Sequence, residues 1–230
     1  MMDLATFCFP TTILFGAGAL KRLPGELERL GIRKPLLVTD SGLVRTPVFQ
    51  RAAALFPGAA VFSAVEPNPT ERSVLDGVDC FRRQGCDGLV GVGGGSPLDA
   101  AKAMRLMITH PLPLAEYDDL RDGGSRITSD LPPYVAIATT AGTGSEVSRS
   151  AVITIEQTQR KTVIFSPHLI PTLALADPEL TASLPPRSLP APAWTPSRTT
   201  SRPICRRDTI PSATRWLWPG PDLFGRTCRA

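Results

Sequence analysis

The sequence predicts an α/β fold: a parallel sheet covered by helices on both faces. Three observations carry this. Short apolar runs alternate with helix-compatible runs over residues 35–108, with short connections between them. Two glycine- and hydroxyl-rich stretches, residues 93–96 and 139–146, each follow directly on an apolar run. That is the sheet edge at which open α/β folds place their ligands. The chain also changes texture near residue 185, so the folded part stops short of its end.

The elements follow in order. Residues 35–40, PLLVTD, read as a strand ending in an acid. Residues 41–56 space Val44, Val48, Ala52 and Leu55 for a helix, and residues 59–63 make a second strand. Over residues 70–84, Val74, Val78 and Phe81 share one helical face behind Thr70 as cap. The apolar run at Leu89 is a strand; a helix follows from Ser96 to about Ile108. Residues 110–133 form a looser, charged connection. Residues 135–138 are a buried-type strand, 151–155 and 162–165 a β-hairpin around 156–160, and 173–176 a last strand before Asp177.

The run GLVGVGGGSPLDAAKAMRL, residues 88–106, carries the most functional information. A strand, a glycine turn and a helix start place unpaired N–H groups and the positive end of a helix dipole at one spot, which suits a phosphate. Ser96 reads as the N-cap, Pro97 fits the first turn, and Asp99 stands where a capping box places its acid. The glycines let backbone approach an anion. The G-x-G-x-x-G fingerprint is absent, because Ser96 replaces its last glycine. In the second stretch, YVAIATTAGTGSEV, Thr139, Thr140, Thr143 and Ser145 offer hydroxyls beside Gly142 and Gly144.

Five cysteines without a C-x-x-C pair suggest neither a disulfide framework nor a zinc ribbon, and fit a reducing compartment. The N-terminus lacks a basic leader, and no apolar run reaches bilayer-spanning length. A cytoplasmic protein is expected, with no membrane partner. The net charge of +4 is misleading: residues 185–230 hold eight arginines against two acids, leaving residues 1–184 slightly negative. Those arginines lie in a stretch with nine prolines and no periodic apolar face, so nucleic acid is not expected as a partner.

Together, GGGSPLDAAKA (93–103), ATTAGTGSEVS (138–148), EPNPT (66–70), LADPELTASLPP (175–186) and the opening FPTTILFGAGAL (9–20) closely resemble the iron-containing, or group III, alcohol dehydrogenases. The resemblance covers residues 1 to about 187. It implies the fold shared with dehydroquinate synthase: a parallel-sheet dinucleotide-binding domain, then an all-helical domain carrying a divalent metal. It implies NAD-dependent, metal-assisted hydride transfer between a primary alcohol and an aldehyde. The T-T-A-G-T-G-S-E run speaks against the related glycerol dehydrogenase and dehydroquinate synthase types. By resemblance, Gly94, Gly95 and Ser96 take the pyrophosphate, with Asp99 holding their loop. Thr139, Thr140 and Thr143 line the nicotinamide side, Asn68 lies in a loop closing on the cofactor, and Lys161 contacts its ribose. Asp40 matches the acid that accepts from the adenosine ribose and disfavours a 2′-phosphate, so NAD is preferred to NADP. Plainer roles stay open: a strand-end or capping acid for Asp40, an exposed hairpin lysine for Lys161. The resemblance also leaves a homodimer through the N-terminal strand open.

The resemblance ends near Arg187 and Ser188. There the family continues into M-D-A-L-T-H, the start of its metal site, where this chain reads A-W-T-P-S-R-T. Codon degeneracy lets residues 194–199, shifted by one base, encode that motif, so residues 188–230 are expected to be family sequence out of frame and irregular. Only His110 and His168 are present, neither in a ligand motif. A chain with an NAD-binding domain at 1–187, lacking the helical metal domain, is expected. The alternatives are an active glycerol-dehydrogenase-like oxidoreductase or a non-catalytic nucleotide-binding module.

Overall fold

A computed structural model describes residues 5–8 and 11–181. Its strands are β1 (Ala5–Cys8), β2 (Thr12–Phe15), β3 (Pro35–Asp40), β4 (Ala60–Val65), β5 (Gly88–Gly93), β6 (Tyr134–Ala138), β7 (Ser150–Ile155), β8 (Arg160–Phe165) and β9 (Leu173–Ala176). Its α-helices are α1 (Leu23–Arg29), α2 (Pro47–Ala53), α3 (Glu71–Gln84) and α4 (Gly95–Thr109). Seven strands form one sheet in the order β1-β2-β9-β6-β5-β3-β4. Only β1 runs antiparallel; the other six are parallel. Every residue of β5 is buried, as a central strand covered on both faces requires.

One core packs α3, α4 and the β7–β8 hairpin on one face, with Val74, Met104 and Ile153 among its residues. The other packs α1 and α2 on the opposite face, around Leu23, Phe49 and Val90. The hairpin makes a third layer over α4. Hence α4 is buried at nearly every position from Pro97 to Leu106, including Lys102 and Arg105.

The expected strands, α3 and the hairpin are present, and Thr70 caps α3 by accepting from Ser73 N at 3.3 Å. Three expectations need correction. The helix expected over 41–56 is a 3-10 turn (Leu43–Arg45) followed by the shorter α2. Pro47 holds Thr46 extended, at φ −90° and ψ 154°, and Thr46 then caps the new helix through Phe49 N. The N-cap of α4 is Gly94, not Ser96, and it has no side-chain cap. Asp99 lies beyond the first turn and makes no capping box. The expected tail at 188–230 lies outside the described residues. Among the described residues, no helix is long and apolar enough to cross a membrane.

Candidate functional site

The carboxyl ends of β5 and β6 bring the two glycine stretches together. Thr139 N donates to Gly93 O at 3.0 Å, and Thr139 itself is buried. A Cβ on Gly94 would stand 3.1 Å from Thr140 Oγ1, and one on Gly95 2.9 Å from Thr143 Cγ2. The space that glycine leaves is therefore taken by the threonines of the second stretch. Gly95 and Ser96 occupy the first two positions of α4, where backbone N–H groups have no acceptor within the helix.

A cavity of about 190 Å³ opens beside this helix start, lined by Asn68, Pro69, Gly95, Ser96, Asp99, Thr143, Val152, Thr154 and Lys161. It unites six of the expected site residues: Asn68, Gly95, Ser96, Asp99, Thr143 and Lys161. Asn68 adopts a left-handed φ of 63°. Its N–H donates to Ser96 Oγ at 3.4 Å, and its Oδ1 accepts from Lys161 Nζ at 2.7 Å. Thr154 N donates to Pro69 O at 2.8 Å, which ties the hairpin to the Asn68 loop. Gly94, Thr139 and Thr140 are not among the lining residues; they meet where β5 and β6 end. Asp40 lies apart, at the end of β3, where its Oδ1 accepts from Gly42 N at 2.9 Å and Leu43 N at 2.7 Å.

Beneath the cavity, a polar cluster joins α4 to the stretch leading into β7. Asp99 accepts from Ser145 Oγ through Oδ1 and from Val152 N at 3.1 Å through Oδ2. Lys102, fully buried, donates to Ser145 Oγ at 3.2 Å, Ser148 Oγ at 2.9 Å and Ser150 O at 2.8 Å. Burial lowers the Lys102 ammonium to about 8, against the opposing pull of Asp99 and Glu146. Sequence reasoning passed over Lys102, Ser148, Val152 and Thr154. The signal for Lys102 was its place in A-K-A-M-R-L-M, a helix apolar on nearly every side.

The sequence model described as iron-containing alcohol dehydrogenase matches residues 10–178. This chain belongs to the iron-containing alcohol dehydrogenase family. It is 45% identical over 184 residues to the 4-hydroxybutyrate dehydrogenase of Cupriavidus necator, covering 79% of this chain and 48% of that protein. A crystal structure of a 1,3-propanediol oxidoreductase superimposes with a TM-score of 0.76 at 36% identity, over 89% of this chain and 52% of the other. Sulfoacetaldehyde reductase from Bifidobacterium kashiwanohense, solved in complex with NAD+, gives a TM-score of 0.71 at 33% identity, over 82% and 49%. The chain spans about half the length of the curated relatives it matches. Iron-containing alcohol dehydrogenases interconvert alcohols and aldehydes with NAD(P) and iron.

The family's iron is not fitted by the described residues, among which no three His, Cys, Asp or Glu side chains gather to hold a metal ion. His110 is buried, with Nδ1 at 2.9 Å from Thr109 Oγ1 and Nε2 accepting from Thr128 N at 3.0 Å. His168 is exposed in the loop before β9. The buried carboxylate of Asp177 accepts backbone N–H groups from Gly18, Leu20 and Glu179.

Proposed function

We propose that residues 1–187 form an NAD(H)-binding domain of an oxidoreductase acting on a small alcohol or aldehyde, and that this chain binds the nucleotide without completing hydride transfer. One observation carries the reading. The cavity at the carboxyl edge of the sheet is lined at once by the start of α4, Asn68, Thr143 and Lys161.

In this reading the N–H groups of Gly95 and Ser96 and the Ser96 hydroxyl take the pyrophosphate, aided by the dipole of α4. Gly94 lets that turn pass close beneath Thr140. Lys161, already held by Asn68, donates to the ribose, and Thr139, Thr140 and Thr143 shape the nicotinamide side. Asp40 keeps one oxygen for its own turn and offers the other to the adenosine ribose, which favours NAD over NADP. Bound NAD supplies the hydride-accepting nicotinamide. No metal-assisted step follows from the described residues. Support for the substrate class comes from the relatives named for 4-hydroxybutyrate and 1,3-propanediol. The free thiols of Cys80 and Cys86 agree with a cytoplasmic setting.

Titration with NADH, followed by calorimetry, tests the reading. Saturable binding that Ser96→Ala and Lys161→Ala each weaken by about 1 kcal/mol or more supports it. Heat indistinguishable from dilution refutes it. Alcohol-dependent NADH formation well above a blank, with ferrous ion added, restores the active-dehydrogenase alternative. The out-of-frame reading of residues 188–230 is decided by the gene: if the frame shifted back by one base near Ser188 lacks M-D-A-L-T-H, the reading is overturned.

A further inference from the structure

His110 is a buried histidine that the nucleotide reading does not use; it stands directly after α4. Its ring has a partner at each nitrogen, and the partners assign the proton. Thr128 N is a backbone donor 3.0 Å from Nε2, so Nε2 is the bare, accepting nitrogen. The proton of the neutral ring is therefore on Nδ1, 2.9 Å from Thr109 Oγ1. Thr109 can accept it, because its own hydroxyl donates to Asp130 O at 2.6 Å. Thr128 Oγ1 in turn accepts from Asp130 N at 3.4 Å.

These bonds close a clasp between the end of α4 and residues 128–130, across a sequence separation of 18–21 residues. The chain between the two halves lies against β8: Asp118 bridges Ile164, and a Cβ on Gly124 would meet Phe165 O. Ile127, next to the clasp, is buried in the core on that face of the sheet.

Protonation turns one partner around. An imidazolium carries an N–H on both nitrogens, so Nε2–H would face Thr128 N–H, donor against donor. The neighbouring elements offer no acceptor in exchange. Tyr117, in the 3-10 turn Leu114–Tyr117, sets its ring edge-on to the imidazole with centroids 6.1 Å apart, and its hydroxyl accepts from Leu112 N. Asp130 joins the clasp through its backbone carbonyl and its N–H, and it is exposed. The negative end of the α4 dipole would favour a cation here. Arg82 of α3 already takes that place, donating to the carbonyls of Met107 and Ile108. Among the described residues, no ion pair includes His110.

We propose that His110 is an acid-sensitive clasp: while neutral it ties residues 128–130 to the end of α4, and a proton taken from solvent at Nε2 releases them and loosens residues 111–127 over β8. The device stands apart from the nucleotide reading, since no residue of the clasp lines the cavity. The open segment takes up a proton that the closed one has no place for, so acid favours opening. A histidine in solvent titrates near pH 6.5, and a drop from about pH 7.5 to about pH 5.5 therefore favours the open form about tenfold.

The experiment measures amide protection of Thr128 and Asp130 by hydrogen exchange in the full chain at these two pH values, each corrected for the intrinsic exchange rate. Wild-type protection falls about tenfold at the lower pH, while the amides of β5 keep theirs. His110→Gln extends a carbonyl oxygen about as far as Nε2 and has no proton to gain, so its protection changes by less than about twofold. An equal fall in both proteins, or no fall in the wild type, overturns the proposal. Should His110→Gln leave Thr128 unprotected at the higher pH, nitrogen NMR of the wild-type ring decides. The proposal then requires the proton on Nδ1 at the higher pH, and loss of Thr128 protection with the same midpoint as protonation of Nε2. A proton on Nε2 at the higher pH, or two separate midpoints, overturns it.

Discussion

A Cβ built on Gly95 lies 2.9 Å from Cγ2 of Thr143, closer than two carbon atoms settle without movement. The first turn of α4 and the second glycine stretch thus meet with no room for a methyl group. Thr143 is β-branched and stiff about χ1, so it yields poorly. Gly95→Ala is expected to cost about 1–3 kcal/mol in urea unfolding despite alanine's better helix propensity. The clashing atom is named, which gives a sharper check. Thr143→Ser removes Cγ2 alone, and the double variant Gly95→Ala/Thr143→Ser should recover about 1 kcal/mol relative to additivity. Strict additivity would show that the two stretches do not touch.

Asp177 directly follows β9, and the structure gives its carboxylate a tethering role there. Its buried carboxylate accepts from Gly18 N at 3.2 Å, Leu20 N at 3.1 Å and Glu179 N at 3.0 Å. It pins the segment after β2 to the end of β9 across the whole chain. Asp177→Ala strands these donors and is expected to cost about 3 kcal/mol, while Asp177→Asn, which keeps one acceptor oxygen, costs about half of that. Equal losses in the two variants by chemical denaturation would rule out the N–H count as the cause.

Local signals made β3, β5, α3 and the β7–β8 hairpin legible, because each has an apolar period and a turn or cap of its own. The start of α2 differs from the expected helix over 41–56 for a reason present in the sequence: Pro47 disfavours a helix running through Thr46. The cap of α4 departs from expectation for another reason. Ser96 has cap chemistry, yet its hydroxyl serves as the acceptor for Asn68 N, a partner 28 residues away. The burial of Lys102 and Arg105 is signalled only by the apolar run around them, A-K-A-M-R-L-M. Pattern reading assigns charged residues to solvent; the segment leading into the hairpin covers Lys102, and the loop carbonyls of Pro132, His168 and Ile170 receive Arg105. Six of the ten expected site residues converge on one cavity because the family motifs carry information that periodicity does not.

Lys102 makes stability depend on pH in a direction opposite to an ordinary salt bridge. Burial lowers its folded pKa to about 8 from an ordinary 10.5. Above pH 8 the folded state has released a proton that the unfolded chain still holds, so stability rises with pH. Cys86, raised by burial to about 11 from 9.0, acts oppositely once the pH exceeds 9. The clean window is therefore pH 7.5–9, bounded by these two groups. Across it the wild type should gain on the order of 1 kcal/mol in urea unfolding, and Lys102→Met should gain none. A wild type that weakens over this window would show that Lys102 keeps its proton well above pH 8.

Asp40 links a local turn to cofactor choice, and the two roles can be separated. Its Oδ1 holds Gly42 N and Leu43 N, starting the 3-10 turn that leads to α2. A 2′-phosphate seated beside this carboxylate would face a like charge, worth about 1 kcal/mol or more at close range even with solvent screening. Asp40→Ala removes the charge and the turn together, and so confounds them. Asp40→Ser removes the charge and retains an oxygen able to accept from the turn, as serine does in such turns. Asp40→Ser is accordingly expected to bind NADPH within about threefold of NADH, from a wild-type preference for NADH of about tenfold or more, with Tm nearly unchanged. If the variant keeps the full preference for NADH, Asp40 is only the turn's acid, and discrimination at the 2′ position lies with another group.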